Sequence, residues 1–143
     1  MNAAEKLLAV ANFSVDKSNI NVAAFKDKGI VVFKVKKSIK KNTKRILDFI
    51  NSGDTIGAVD FPNIKLPAYK NTHRFLHIHQ NIPGVMATIN KVLATSKRNI
   101  TAQYLSTDKN IGYVMTDIDK EYNPELIKKL KNVEGTIKFR VLY

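Results

Sequence analysis

Three histidines, two asparagines and a Pro-Gly pair are the residues of this chain whose types and spacing suggest chemistry. His73, His77 and His79 alternate along HRFLHIHQ, and Asn81, Pro83 and Gly84 follow directly, ahead of a helical stretch. The first amides of a helix point outward without internal partners and carry the positive end of its dipole, so a carboxylate fits there. Gly84 has no Cβ, which lets a ligand or a neighbouring backbone approach closely, and Pro83 fixes the entry without wasting a needed donor. His79 and Asn81 add side-chain donors and acceptors beside that point. Asn99 stands at the entry to the following strand, where it could reach the ligand of its own subunit or of a neighbouring one. A small zwitterion is the natural guest. Histidines two apart on one strand face can also converge on a metal ion. No acidic ligand lies close in sequence and His73 is farther out, so no metal site is expected.

The elements that must position these residues are legible from periodicity. HRFLHIHQ alternates, with Leu76 and Ile78 on one face and the histidines and Phe75 on the other, as a strand should. Val85, Ile89, Val92 and Leu93 form the stripe of an amphipathic helix beginning after Pro83-Gly84. NITAQYLS and IGYVMTDI read as a hairpin around the turn formers STDKN. Asn123-Pro124 starts a second helix with Asn as cap, and Gly135 precedes a last strand, TIKFRVLY. The order over 73–143 is βαββαβ, a ferredoxin-like sandwich within an α+β protein. Before it, LLAVANFSV, a short helical stretch and IVVFKV read as a small βαβ unit. A helix carrying Ile46, Leu47 and Ile50 follows, and a Pro-containing connector leads to residue 72. Two parts are therefore expected, 1–72 and 73–143.

Composition bounds the function. The chain of 143 residues is 44% hydrophobic and contains no cysteine, which excludes disulfides, thiolate metal sites and cysteine nucleophiles and fits a reducing cytoplasm. Its longest N-terminal apolar run is too short for a membrane span, so no membrane partner is expected. The formal charge of +12 invites a polyanion, and residues 34–45, KVKKSIKKNTKR, hold seven of the 24 basic residues without an acid. The rest is scattered, and a solvated junction explains the run better than a phosphate grip does.

The stretch from Arg74 to Tyr143, with HIHQNIPGV, NITAQYL, IGYVMTDID and GTIKFRVLY, closely resembles the C-terminal regulatory ACT domain of the D-3-phosphoglycerate dehydrogenase family. The resemblance implies binding of L-serine where two domains join their sheets, with His79 and Asn81 from one corner and Asn99 from the adjoining subunit as ligands, hence a homodimer. The chain departs from the family at two glycine positions, having SKR before Asn99 and Asn71-Thr72 before the domain. ILDFINSGDTIGAVDFPNIKLP and AVANFSVDKSNINVAAFKDKGIVVF are similar to segments flanking the family's catalytic core, the latter with Asp16, Ser18 and Asn21 at altered positions. Between Phe33 and Ile46 the family has roughly two hundred residues more. The six glycines, at 29, 53, 57, 84, 112 and 135, form no G-x-G-x-x-G, so no loop here cradles a pyrophosphate. The family's catalytic Arg, Glu and His belong to the same missing block. The resemblance thus implies a truncated serine-pathway dehydrogenase that keeps its effector module, with no catalytic residue, no cofactor and no activity of its own.

The rival reading is an RNA-binding module, which shares the βαββαβ order and displays aromatics on its sheet. In IGYVMTDI only Tyr113 fits that pattern, with Met115 and Asp117 where stacking or phosphate attraction is needed. Nucleic acid is therefore not an expected partner.

Overall fold

The computed structural model describes residues 6–13, 20–34, 39–67 and 71–142. Asp16, Ser18, Tyr143 and residues 35–38 of the basic run lie outside the described residues. The chain divides into two units, Met1–Lys65 and Leu66–Tyr143.

The first unit contains the expected βαβ. Strands β1 (Ala9–Asn12) and β2 (Val31–Lys34) pair in parallel, Ala9 opposite Val31, across helix α1 (Val22–Lys26). Asn21 caps α1 by accepting from Ala24 N at 3.1 Å, and Gly29 takes a φ of 63° just beyond it. That left-handed turn is one glycine enters without a Cβ penalty. Helix α2 (Ile39–Ser52) follows, and Phe49 on it meets Phe33 of β2 with ring centroids 6.1 Å apart. The helix begins inside the basic run, with Lys40, Lys41, Thr43 and Lys44 exposed. Beyond α2, Thr55 folds the connector back on itself. Its amide donates to Ile64 O at 2.9 Å and its hydroxyl to Pro62 O at 2.8 Å.

The second unit is the ferredoxin-like sandwich. Strands β3 (His73–Gln80), β4 (Ile100–Thr107), β5 (Ile111–Ile118) and β6 (Thr136–Val141) form one antiparallel sheet in the order β4-β5-β3-β6. Helices α3 (Val85–Thr95) and α4 (Pro124–Lys131) pack on one face through Val85, Ile89, Leu93, Leu126 and Leu130, against Phe75, Val114 and Ile118 of the sheet. These are the positions the helical and strand periods mark as apolar, and burying each side chain contributes roughly 1.5–3 kcal/mol. Asn123 caps α4 by accepting from Leu126 N at 2.7 Å, as its position before Pro124 predicts.

The division falls before Leu66, whereas the sequence reading divides the chain after Thr72. Residues 66 and 67 side with the sheet because Arg74 Nη2 donates to Pro67 O at 3.0 Å. No helix among the described residues is long and apolar enough to cross a membrane.

Candidate functional site

The corner between β3 and α3 is built by two local events. His79 is the seventh residue of β3 and lies opposite Gly112 of β5, and the chain then leaves the sheet through Asn81, Ile82 and Pro83. Gly84 ends the turn at the N-cap of α3 with a φ of 92° and no side-chain capping bond. A Cβ built on Gly84 would meet nothing within 4 Å, so the approach to the uncapped amides of α3 is open. Negative charge is stabilised at such a place by the outward N–H groups and the helix dipole together.

The histidine has a fixed tautomer. His79 is buried, and its Nδ1 lies 2.7 Å from Gln80 O. A carbonyl oxygen only accepts, so Nδ1 carries a proton and Nε2 of the neutral ring is an acceptor. That Nε2 is buried and has no partner among the described residues. The ring fits because residue 112 is glycine: a Cβ there would stand 2.5 Å from His79 Nε2. Gly112 is a participant the sequence reading passed over. The signal was present, since a glycine inside the strand pattern IGYVMTDI marks a close approach.

Behind His79, the fully buried His77 ring stands edge-on at 6.2 Å. Its Nε2 lies 2.7 Å from Thr136 Oγ1 on β6, and its Nδ1 is buried without a partner among the described residues. Burial, and secondarily the neighbouring His79, lowers the His77 pKa from 6.5 to about 4. His73 is elsewhere, its ring against Tyr122 with centroids 5.3 Å apart.

Asn81 is exposed and oriented. Its Nδ2 donates to Asp108 O at 2.7 Å and its backbone amide to Asn110 O at 2.9 Å, tying the corner to the β4–β5 turn. With Nδ2 engaged, Oδ1 is the free end of the carboxamide. Asn99 is held the same way. Its amide donates to Asp119 Oδ1 at 3.0 Å and its Nδ2 to Asp119 Oδ2 at 3.1 Å. Asp108 and Asp119 were invisible as participants from spacing alone, because each acts across a turn or a strand pair.

His79, Asn81, Pro83 and Gly84 are brought together, and Asn99 is not. Ile100 pairs with Ile118, which pairs with His73, while Thr107 pairs with Gly112, which pairs with His79. Asn99 therefore lies at the opposite end of the sheet from the corner, about 20 Å away at roughly 3.3 Å per strand residue. The reading in which Asn99 reaches a ligand of its own subunit is excluded by this register.

Each glycine departure contains one residue in left-handed backbone. Lys97 has a φ of 53° and Asn71 a φ of 56°, each in the left-handed region that glycine enters most easily. Lys97 follows α3, its amide donating to Ala94 O at 3.0 Å while Arg98 N donates to Leu93 O at 3.1 Å, the bonding of a helix C-terminal cap. The Lys97 and Arg98 side chains thus belong to the Asn99 end, away from the corner of their own copy.

Residues 75–138 match the family model described as "AHAS small subunit-like ACT domain". D-3-phosphoglycerate dehydrogenase of Dictyostelium discoideum is 50% identical over 98 residues, covering 68% of this chain and 24% of that protein. The enzyme of the same name from Haemophilus influenzae is 41% identical over 99 residues, covering 69% of this chain and 24% of its own length. The chain thus spans about a quarter of the length of these relatives. Among solved structures, the ACT domain from GTP pyrophosphokinase of Chlorobium tepidum aligns with a TM-score of 0.45 and 19% identity, over 50% of this chain and 96% of that one.

Proposed function

The C-terminal half of this chain is an ACT regulatory domain homologous to that of D-3-phosphoglycerate dehydrogenase, and on that premise we propose that it binds a small amino acid, L-serine, at the β3–α3 corner without catalysis of its own. The observations that carry this reading are the uncapped, sterically open start of α3 and, on the strand that leads into it, a buried His79 Nε2 with no partner among the described residues. A zwitterion satisfies both ends at once. Its carboxylate takes the free amides of α3, and its ammonium or hydroxyl donates to His79 Nε2 and Asn81 Oδ1.

The site is completed by Asn99 of a second copy. A two-fold pairing along the β4 edge runs the two strands antiparallel, which sets residue 100 of one copy near residue 107 of the other. Asn99 then stands at the end of the sheet where Asn81 holds Asp108. Ile100, Tyr104 and Leu105 are exposed large apolar residues on this edge strand, and such an edge favours a partner strand. The homodimer is thus part of the proposal.

The chain is read as a regulatory piece of a shortened dehydrogenase of serine biosynthesis, acting in the cytoplasm. Its 143 residues hold no G-x-G-x-x-G, and its similarity reaches only a quarter of the relatives' length. Hydride transfer needs a cofactor held against a substrate and a base to take the proton. Isothermal titration with L-serine, glycine and L-alanine tests the reading. Serine should give saturable heat and glycine much less, since glycine lacks the hydroxyl. Absence of heat with serine, or saturable NADH fluorescence, would falsify it.

A further inference from the structure

The first unit contains a cavity of about 220 Å³ lined by Lys41, Lys44, Arg45 and Lys65 with Asp48, Asp54 and Ile56. Among the described residues that line it, four cations face two carboxylates. Both carboxylates are already engaged. Asp48 accepts from Lys44 Nζ at 2.6 and 2.8 Å, and Asp54 accepts from Ile56 N at 2.8 Å and pairs with Lys65 at 3.7 Å. Arg45 has no carboxylate partner among the described residues.

Its position is nevertheless built. Arg45 is half-buried, and its guanidinium lies across Gly57 so closely that a Cβ there would fall 2.6 Å from Nη2 and 2.7 Å from Nη1. Gly57 has a φ of 81°, and its amide donates to Asn63 Oδ1 at 2.6 Å, which fixes the loop beneath the guanidinium. A guanidinium seated on a backbone platform keeps a planar fork of donors, which matches two oxygens of a phosphate. The cavity is smaller than the roughly 300–1,000 Å³ of sites for drug-sized ligands, so the guest is small.

We propose that this cavity binds a phosphate group, as inorganic phosphate or a small phosphomonoester, with Arg45 as the bidentate contact and Lys41 and Lys65 as surrounding charge. The site is independent of the amino-acid corner, so its success or failure leaves that reading untouched.

The test is titration of the full chain with inorganic phosphate and with methyl phosphate at constant ionic strength, followed through amide chemical shifts. Saturable shifts at Gly57 and Arg45 are expected. Arg45→Gln should weaken binding about tenfold, the worth of one charged hydrogen-bond pair. Arg45→Lys should fall between Gln and the parent, because it keeps the charge and loses the fork. Lys40→Gln removes an equal charge from the same helix outside the cavity lining and should change affinity little. If Arg45→Gln does not fold, Lys65→Gln replaces it, with a loss in the same direction. A linear response without saturation overturns the site. So does an equal loss in Arg45→Gln and Lys40→Gln, or a single-stranded RNA that binds while both phosphates do not, since each would mean diffuse charge attraction.

Discussion

The His79 imidazole lies across Gly112, its cross-strand partner on β5, at a separation no side chain on residue 112 would permit. The acceptor of the corner thus depends on an absent methyl group. Gly112→Ala should displace the ring, destabilise the fold by about 1–3 kcal/mol as overpacking does, and abolish serine heat. Urea unfolding and calorimetry on the same protein check the two effects, and normal serine affinity in Gly112→Ala would remove His79 from the site.

Stability should fall with acidity through His77. Its pKa is about 4 in the folded chain and near 6.5 when released, so below pH 6.5 the unfolded state binds the proton first. The folded state therefore loses stability as pH drops from 6.5 to 4 and loses little more below that. A separation of this size corresponds to about 3 kcal/mol. Urea midpoints across this window should slope downward with acid in the parent and much less in His77→Gln.

Lys97→Gly should stabilise the protein. The left-handed backbone at Lys97 carries a cost of about 1–2 kcal/mol for a residue with a Cβ. A gain of about 0.5–1 kcal/mol in thermal or urea unfolding is expected after the added chain entropy of glycine. Lys97→Ala, which keeps the Cβ, is the control and should give no such gain.

Arg74 and Asp117 form a buried fork on paired strands, Nε to Oδ1 at 2.7 Å and Nη2 to Oδ2 at 2.8 Å. Asp117→Ala strands the guanidinium and should cost about 3–5 kcal/mol. The double change Arg74→Met with Asp117→Leu removes both charges and should cost far less. Equal losses in the two proteins would show that the pair's charges are not what matters there.

The seam is tested by complementation. His79→Ala and Asn99→Ala should each abolish serine binding in a pure dimer. In a mixed dimer one site collects both lesions and the other is intact, so one serine per dimer should bind at parental affinity. No recovery on mixing means that the two residues do not meet across copies.

Local signals set much of this protein in advance. The elements of residues 73–142 follow from side-chain period and caps: HRFLHIHQ is β3 from His73 to Gln80, and Asn123-Pro124 opens α4. These are contacts within a few residues, so the residue types alone carry them. His79, Asn81, Pro83 and Gly84 fall together for the same reason, lying within six consecutive positions at one turn.

Tertiary structure decided the rest, because it joins residues that no short-range pattern links. Register placed Gly112 under His79, paired Arg74 with Asp117 across 43 positions, and sent Asn99 to the far end of the sheet. Folding of the connector beside α2 set Gly57 beneath Arg45. The basic run announced charge from sequence alone. Only the packed backbone seated one of its members, Arg45, across Gly57.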